Sequence, residues 1–214
     1  MSYFTVLKGG IGEIEEKKSR FIATVHEVHS KEEAEEFIAY CKKKYPDARH
    51  NCSAYILGEQ SQIEHSSDDG EPAGTAGKPM LEVLRGANLT YTAVVVTRYF
   101  GGVLLGTGGL VRAYTQAVKE GIANCDIIEK KEGVLTNFHA DYTDVGKMQY
   151  FLRQSECALL DTKYETDVIF EIVVAKEEVE AFEKALTEQF SGRIGLGEKE
   201  SCTYAVLNGE AVLF

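Results

Sequence analysis

Five glycines, Gly101, Gly102, Gly106, Gly108 and Gly109, fall between an apolar β-branched run, Ala93-Val94-Val95-Val96, and a helical stripe of Leu110, Tyr114, Ala117 and Val118. Such a density of glycine ends a regular element, because each one gives up backbone order that a larger residue would keep. The chain must leave a strand, bend and enter a helix between Thr97 and Tyr114. A strand, a glycine bend and a helix N-terminus together present backbone N–H groups, the physical basis of an anion site. Arg98 and Arg112 bracket the bend. From Val83 to Lys119 there is no Asp or Glu, whereas Arg85, Arg98, Arg112 and Lys119 are present. In a chain of formal charge −11, that segment reads as a surface for anions. Its candidate residues are Lys78, Arg98, Tyr99, Phe100, Gly101, Gly102, Gly106, Gly108, Gly109 and Arg112. The cations would contact phosphate, and Tyr99, Phe100 or Tyr114 would stack on bases; the alternative is that these aromatics are core, the favoured reading for Tyr114.

The 214 residues suffice for one large domain or two small ones. Charge is divided unevenly. Residues 1–130 hold 15 Lys/Arg against 18 Asp/Glu, whereas residues 131–214 hold 8 against 16. The C-terminal part is therefore a poor non-specific binder of polyanions and suits a basic protein partner. The N-terminus, MSYFTVLKGG, has no basic region followed by an apolar core, and no stretch reaches the roughly 20 apolar residues of a membrane helix. A cytoplasmic protein without membrane contact is expected. The cysteines, Cys41, Cys52, Cys125, Cys157 and Cys202, are odd in number, widely spaced and free of C-x-x-C pairs, which fits reduced thiols. Cys52, closest to other polar candidates, is the one to test as a nucleophile.

In chain order, Tyr3–Leu7 and Ser19–His29 read as strands with a glycine turn between them. Ser30 with Glu33 forms a capping box for a helix that ends in Lys42-Lys43-Lys44. Arg49–Leu57 is the next strand, 58–70 a polar irregular segment, and Met80, Leu81, Val83 and Leu84 the core face of a second helix. Tyr91–Tyr99 reads as a central strand covered on both faces. A helix runs from Gly108 to about Gly121. A boundary is placed at Lys130–Gly133, giving domains 1–131 and 132–214. Beyond it the order is strand 134–141, helix 143–155, strands 158–164 and 167–174, helix 177–190 and strand 194–207. That β-α-β-β-α-β order is the ferredoxin-like arrangement.

Two further loops bear on chemistry. His65-Ser66-Ser67-Asp68-Asp69-Gly70-Glu71 groups three carboxylates, which suit a hard cation such as Mg²⁺. With His50, the residues Asp68, Asp69 and Glu71 form a candidate polar or metal cluster. The bland alternative is that Asp68 or Asp69 caps a helix or holds an arginine. Gly74-Thr75-Ala76-Gly77-Lys78 lacks the Walker spacing, and Pro79 follows the lysine, so a Walker-type site is rejected.

The blocks Ser67-Asp68-Asp69-Gly70-Glu71-Pro72-x-Gly74-Thr75-Ala76-Gly77, Arg98-Tyr99-Phe100-Gly101-Gly102, Leu105-Gly106 and Gly108-Gly109-Leu110-x-Arg112-Ala113-Tyr114 resemble the signatures of the IMPACT family. With the acidic tail, the chain resembles the family's two-domain bacterial (YigZ-type) branch. Ala73 stands where serine is common. The resemblance implies an α+β protein, with an N-terminal domain of ribosomal protein S5 domain 2-like fold. It also implies a C-terminal domain like those near the end of elongation factor G. Eukaryotic relatives act in translational control by competing for the activator of a stress kinase. The expectation is a non-catalytic, translation-related regulator that binds RNA or the ribosome. Two alternatives are kept: a Mg²⁺-dependent enzyme or binder of a phosphorylated small molecule, and a protein-interaction module.

Overall fold

The computed structural model describes residues 2–207 and 210–214. The chain divides into two compact units, one of Tyr3–Ile128 and the other of Glu129–Phe214 together with Ser2.

In the N-terminal unit, strands β2 (Ile11–Glu16), β3 (Ser19–Glu27), β4 (His50–Leu57), β5 (Ile63–Ser67) and β6 (Thr92–Tyr99) follow β1 (Ser2–Lys8). They form one antiparallel sheet in the order β2-β3-β6-β4-β5. β6 is central because its run of valines can be buried on both sides, and Val94, Val95 and Val96 are fully buried. Helix α1 (Lys31–Lys44) covers Tyr55, Leu57, Ala93 and Val95 with Ala34, Phe37 and Cys41. Its N-cap is Ser30, whose hydroxyl accepts the Glu33 N–H, while Glu33 accepts the His29 N–H. Helices α2 (Gly77–Gly86) and α3 (Gly106–Ala123) cover the opposite face, where Phe21, Cys52, Ala54, Val94 and Val96 meet Met80, Leu84, Tyr114 and Val118.

In the other unit, β7 (Asp126–Ala140), β8 (Cys157–Tyr164), β9 (Val168–Ala175), β10 (Glu200–Leu207) and β11 (Glu210–Leu213) pair antiparallel in the order β11-β10-β7-β9-β8. Helices α4 (Val145–Gln154) and α5 (Val179–Gln189) build its core with β7 and β9. Phe138 and Phe170, opposite each other in register, stack at 5.3 Å, and Phe151 of α4 packs on Phe182 of α5 at 5.5 Å.

Several elements differ from the sequence expectation. The expected glycine turn at 9–12 gives way at Ile11 to strand β2, which pairs with β3 from Ile11 to Glu16. Within 58–70, Ile63–Ser67 is the edge strand β5, its polar side chains tolerated by exposure. The boundary placed at Lys130–Gly133 falls within the continuous strand β7, whose residues 131–133 pair with β10. The last long strand begins at Glu200. Ile194 is buried in the core instead, and the Gly197 N–H is donated to the Asn137 carbonyl at 2.7 Å.

Candidate functional site

The residues nominated by sequence fall into two groups, one interior and one exposed. Arg98 is the third member of the row Val94, Val96, Arg98 that β6 turns towards α2 and α3. In register it lies between Phe21 of β3 and His50 of β4. Its side chain is only 7% exposed and that of Glu71 3%, and Arg98 Nη1 donates to Glu71 Oε1 at 2.6 Å. The guanidinium lies 5.3 Å from the centre of the Phe21 ring and 5.7 Å from that of Phe100. Nη2 reaches Ser19 Oγ at 3.5 Å, and the same hydroxyl accepts the Gly101 N–H at 3.1 Å. Arg98 is therefore not the surface phosphate contact that its place beside a glycine loop suggests. An arginine this deep is tolerated because a carboxylate offsets its desolvation.

The same carboxylate extends the network. Tyr114 donates its hydroxyl proton to Glu71 Oε1 at 2.9 Å. Cys52 Sγ lies 3.3 Å from that hydroxyl and 3.0 Å from the Asp68 carbonyl oxygen. Burial pushes the Cys52 thiol up to about 12 and raises the Tyr114 hydroxyl as well. A thiol so held stays protonated, so Cys52 is a hydrogen-bonded core residue and not the nucleophile considered from sequence.

Asp68 and Asp69 also have partners. Asp68 Oδ1 accepts the N–H groups of Ala76 and Gly77 at 3.0 and 2.9 Å, and Oδ2 accepts that of Gly74 at 2.8 Å. The carboxylate supplies the anion that the N-terminus of α2 favours. Burial raises the Asp68 carboxyl, but the three backbone donors outweigh it and hold it below the ordinary carboxylate range. Asp69 pairs with Lys42 at 2.7 Å and accepts the Asn51 N–H at 2.7 Å, and these contacts outweigh burial to lower its carboxyl too. His50 does face this loop: its Nδ1 lies 2.9 Å from the Asp69 carbonyl oxygen and donates to it. The proposed polar cluster thus exists as a set of neighbours. Its carboxylates, however, are spent on a helix N-terminus, a lysine and an arginine. Among the described residues no three or more His, Cys, Asp or Glu side chains are grouped to hold a metal ion.

The remaining candidates are at the surface. Gly102, Gly106 and Gly108 are exposed, Gly101 and Tyr99 half-buried, and Gly109 buried. The N-terminus of α3 has no side-chain cap and no acidic residue in its first turn. Beside it Phe100, Val103 and Leu104 are exposed, Leu104 to 83%. Lys78, Arg112 and Lys119 are exposed and form no ion pair among the described residues. They do not converge on one recess: Lys78 and Lys119 line the groove between α2 and α3, whereas Arg112 lines another with Glu15 and Glu16. Sequence reasoning missed the exposure of Val103 and Leu104, and placed Arg98 outside. The parity of the Val94-Val96-Arg98 row was the available signal for the latter.

Residues 17–122 match the Impact N-terminal domain and residues 138–193 a domain of unknown function, DUF1949. The chain is 46% identical over 199 residues to the IMPACT family member YvyE of Bacillus subtilis, covering 93% of this chain and 92% of that one. It belongs to the IMPACT family. The Escherichia coli family member YigZ is 35% identical over 182 residues, 84% of this chain and 89% of that one. A crystal structure of a hypothetical protein superposes with a TM-score of 0.60 at 34% identity, covering 91% of this chain and 96% of the other. The residues by which the chain resembles the family include the interior network of Glu71, Arg98 and Tyr114 as well as exposed Gly102, Gly106, Gly108 and Arg112. The block from Ser67 to Gly77 and the block from Arg98 to Tyr114 are joined by the Glu71 contacts to Arg98 and Tyr114.

Proposed function

We propose that this IMPACT family protein is a non-catalytic regulator in translation that contacts RNA or the ribosome through its N-terminal unit. The observation that carries this reading is the junction of the 100–109 loop with α3. Exposed Phe100, Val103 and Leu104 stand beside an uncapped, acid-free helix N-terminus, with unpaired Arg112 six residues into the helix. The family's eukaryotic relatives, as the resemblance implies, work in translational control. The enzymatic alternative has less support, because Asp68, Asp69, Glu71 and Cys52 are each held by another group. Mg²⁺ keeps no obvious ligand set among them.

The finer fold reading belongs to the same proposal. The order β10-β7-β9-β8, all antiparallel, with α4 and α5 as the two crossovers, supports a ferredoxin-like C-terminal domain. A split β-α-β built from β3, α1 and β4 around β6 is consistent with the ribosomal protein S5 domain 2-like reading of the other unit. The acidic C-terminal domain would serve a basic protein partner. No helix among the described residues is long and apolar enough to cross a membrane, which is compatible with the cytoplasmic location we infer.

Binding to bulk RNA and to purified ribosomes at low salt tests the reading. The wild type should associate, and Arg112→Ala should weaken association. Absence of association at low salt, or equal binding by the variant, refutes it. Arg98→Ala is unsuitable here because it disturbs the core.

A further inference from the structure

A recess of about 880 Å³ in the N-terminal unit lies away from the 100–109 loop, along the outer sides of α2 and α3. Val83, Val111 and Ile122 line it as half-buried side chains that the unit's own packing leaves incomplete. Exposed Ala87 and Ala123 line it too, so a partner can approach close to the helix backbones there. Its charged lining is biased. Lys78 and Lys119 have no ion-pair partner among the described residues, while Glu82 is already paired with Arg85 at 2.5 Å. The recess thus combines an apolar floor with two uncompensated positive charges.

We propose that this α2–α3 groove docks an amphipathic helix of a protein partner whose apolar stripe is flanked by Asp and Glu. A helix fits better than a strand, because the two walls are helices whose backbone groups are already hydrogen-bonded and offer no edge to pair with. The ridges of a third helix fill the channel between two packed ones. Protein fits better than nucleic acid, because the floor is aliphatic and presents no aromatic ring for a base to stack on. The acidic flanks follow from Lys78 and Lys119. This goes beyond the RNA reading and stands without it.

The test uses the full-length protein and fluorescein-labelled helical peptides of about four turns. Each carries a leucine stripe flanked by glutamates, with a comparison set flanked by lysines. The glutamate set should bind saturably and the lysine set about tenfold more weakly. Ala87→Gln with Ala123→Gln, exposed positions where the fold is kept, should cost about tenfold in affinity. Lys78→Glu with Lys119→Glu should do the same, the direction expected for two reversed contacts. Arg112→Ala, which bears on the RNA reading, should leave peptide binding unchanged. The proposal fails if the glutamate peptides do not bind, if both peptide sets bind equally, or if the groove variants bind as the wild type does. It is also overturned if Ala87→Gln with Ala123→Gln instead abolishes binding of an RNA oligonucleotide or dissolves a homodimer seen by sedimentation.

Discussion

Glu71 holds Arg98 in place, and the pair is asymmetric in what its loss should do. Glu71→Ala leaves a guanidinium buried between Phe21 and Phe100 with Ser19 as its remaining side-chain acceptor, and should cost about 3–5 kcal/mol. Arg98→Met combined with Glu71→Leu removes both charges and should recover most of that loss, as apolar replacement of buried pairs commonly does. Urea unfolding of the three proteins decides the matter: a Glu71→Ala loss under about 1 kcal/mol contradicts the buried pair. Asp68 yields a pH prediction with a definite sign. Its folded carboxyl lies below the ordinary value, so its contribution is fully present above about pH 4. That contribution is lost as the pH falls through the folded value. Asp68→Asn should lower stability near neutrality by about 1–2 kcal/mol and flatten the acid limb of the stability–pH curve. An unchanged acid limb in thermal melts between about pH 2 and 6 rules out Asp68 as a titrating cap. At this scale the sequence was half legible. A capping role for Asp68 could be read from its place before a helix. The burial of Arg98 was obscured because a cation beside a glycine loop is usually solvated; the parity of its strand hinted at burial, and its partner across 27 positions accounts for it.

The loop after β6 is fixed by backbone proximity more than by side chains. A Cβ on Gly101 would lie 2.0 Å from the carbonyl carbon of Lys18 and 2.4 Å from the Ser19 nitrogen, and neither backbone atom can swing aside. Gly101→Ala should therefore lift the loop from the start of β3, break the Gly101 N–H bond to Ser19, and cost about 1–3 kcal/mol. Hydrogen exchange should show the loss of protection concentrated at Ser19 and Gly101; protection and stability like the wild type's would remove the proximity argument. The same physics acts inside β7. Gly133 leaves room there for Val173 and Tyr204, whose side-chain atoms would come within 2.8 Å of a Cβ. Lys130–Gly133 is thus strand because its neighbours close over the glycine. Local composition does not encode that contact. The long periodic elements, α1, α3, β6 and α5, were legible because their apolar spacing and the valine run of β6 are local signals. Edge strands β2 and β5 were not, since their existence depends on the neighbour that pairs with them.

Over the whole molecule, net charge opposes the proposed function. The chain carries −11, and residues 131–214 hold twice as many acidic as basic residues, so long-range attraction to RNA is weak and contact must be local. The exposed, unpaired cations of α2 and α3 number three, Lys78, Arg112 and Lys119, and they line two separate recesses, so together they set an upper bound on the contact. Arg85 is taken by Glu64 and Glu82, and Arg98 by Glu71. Each phosphate neutralised on a single strand contributes roughly −0.7 to the slope of log K against log salt. A face of this size should therefore give a slope no steeper than about −2, far from that of a dedicated nucleic-acid binder. Arg112→Ala should make the slope shallower by about 0.7, whereas Lys163→Ala on β8, in the acidic unit, should leave it unchanged. A titration of RNA binding between about 20 and 200 mM salt reads these slopes directly. A slope several times steeper would mean that cations outside this face carry the contact. A slope of zero with retained binding would move recognition to the apolar loop tip at Val103 and Leu104, and with it the preferred partner from nucleic acid to protein.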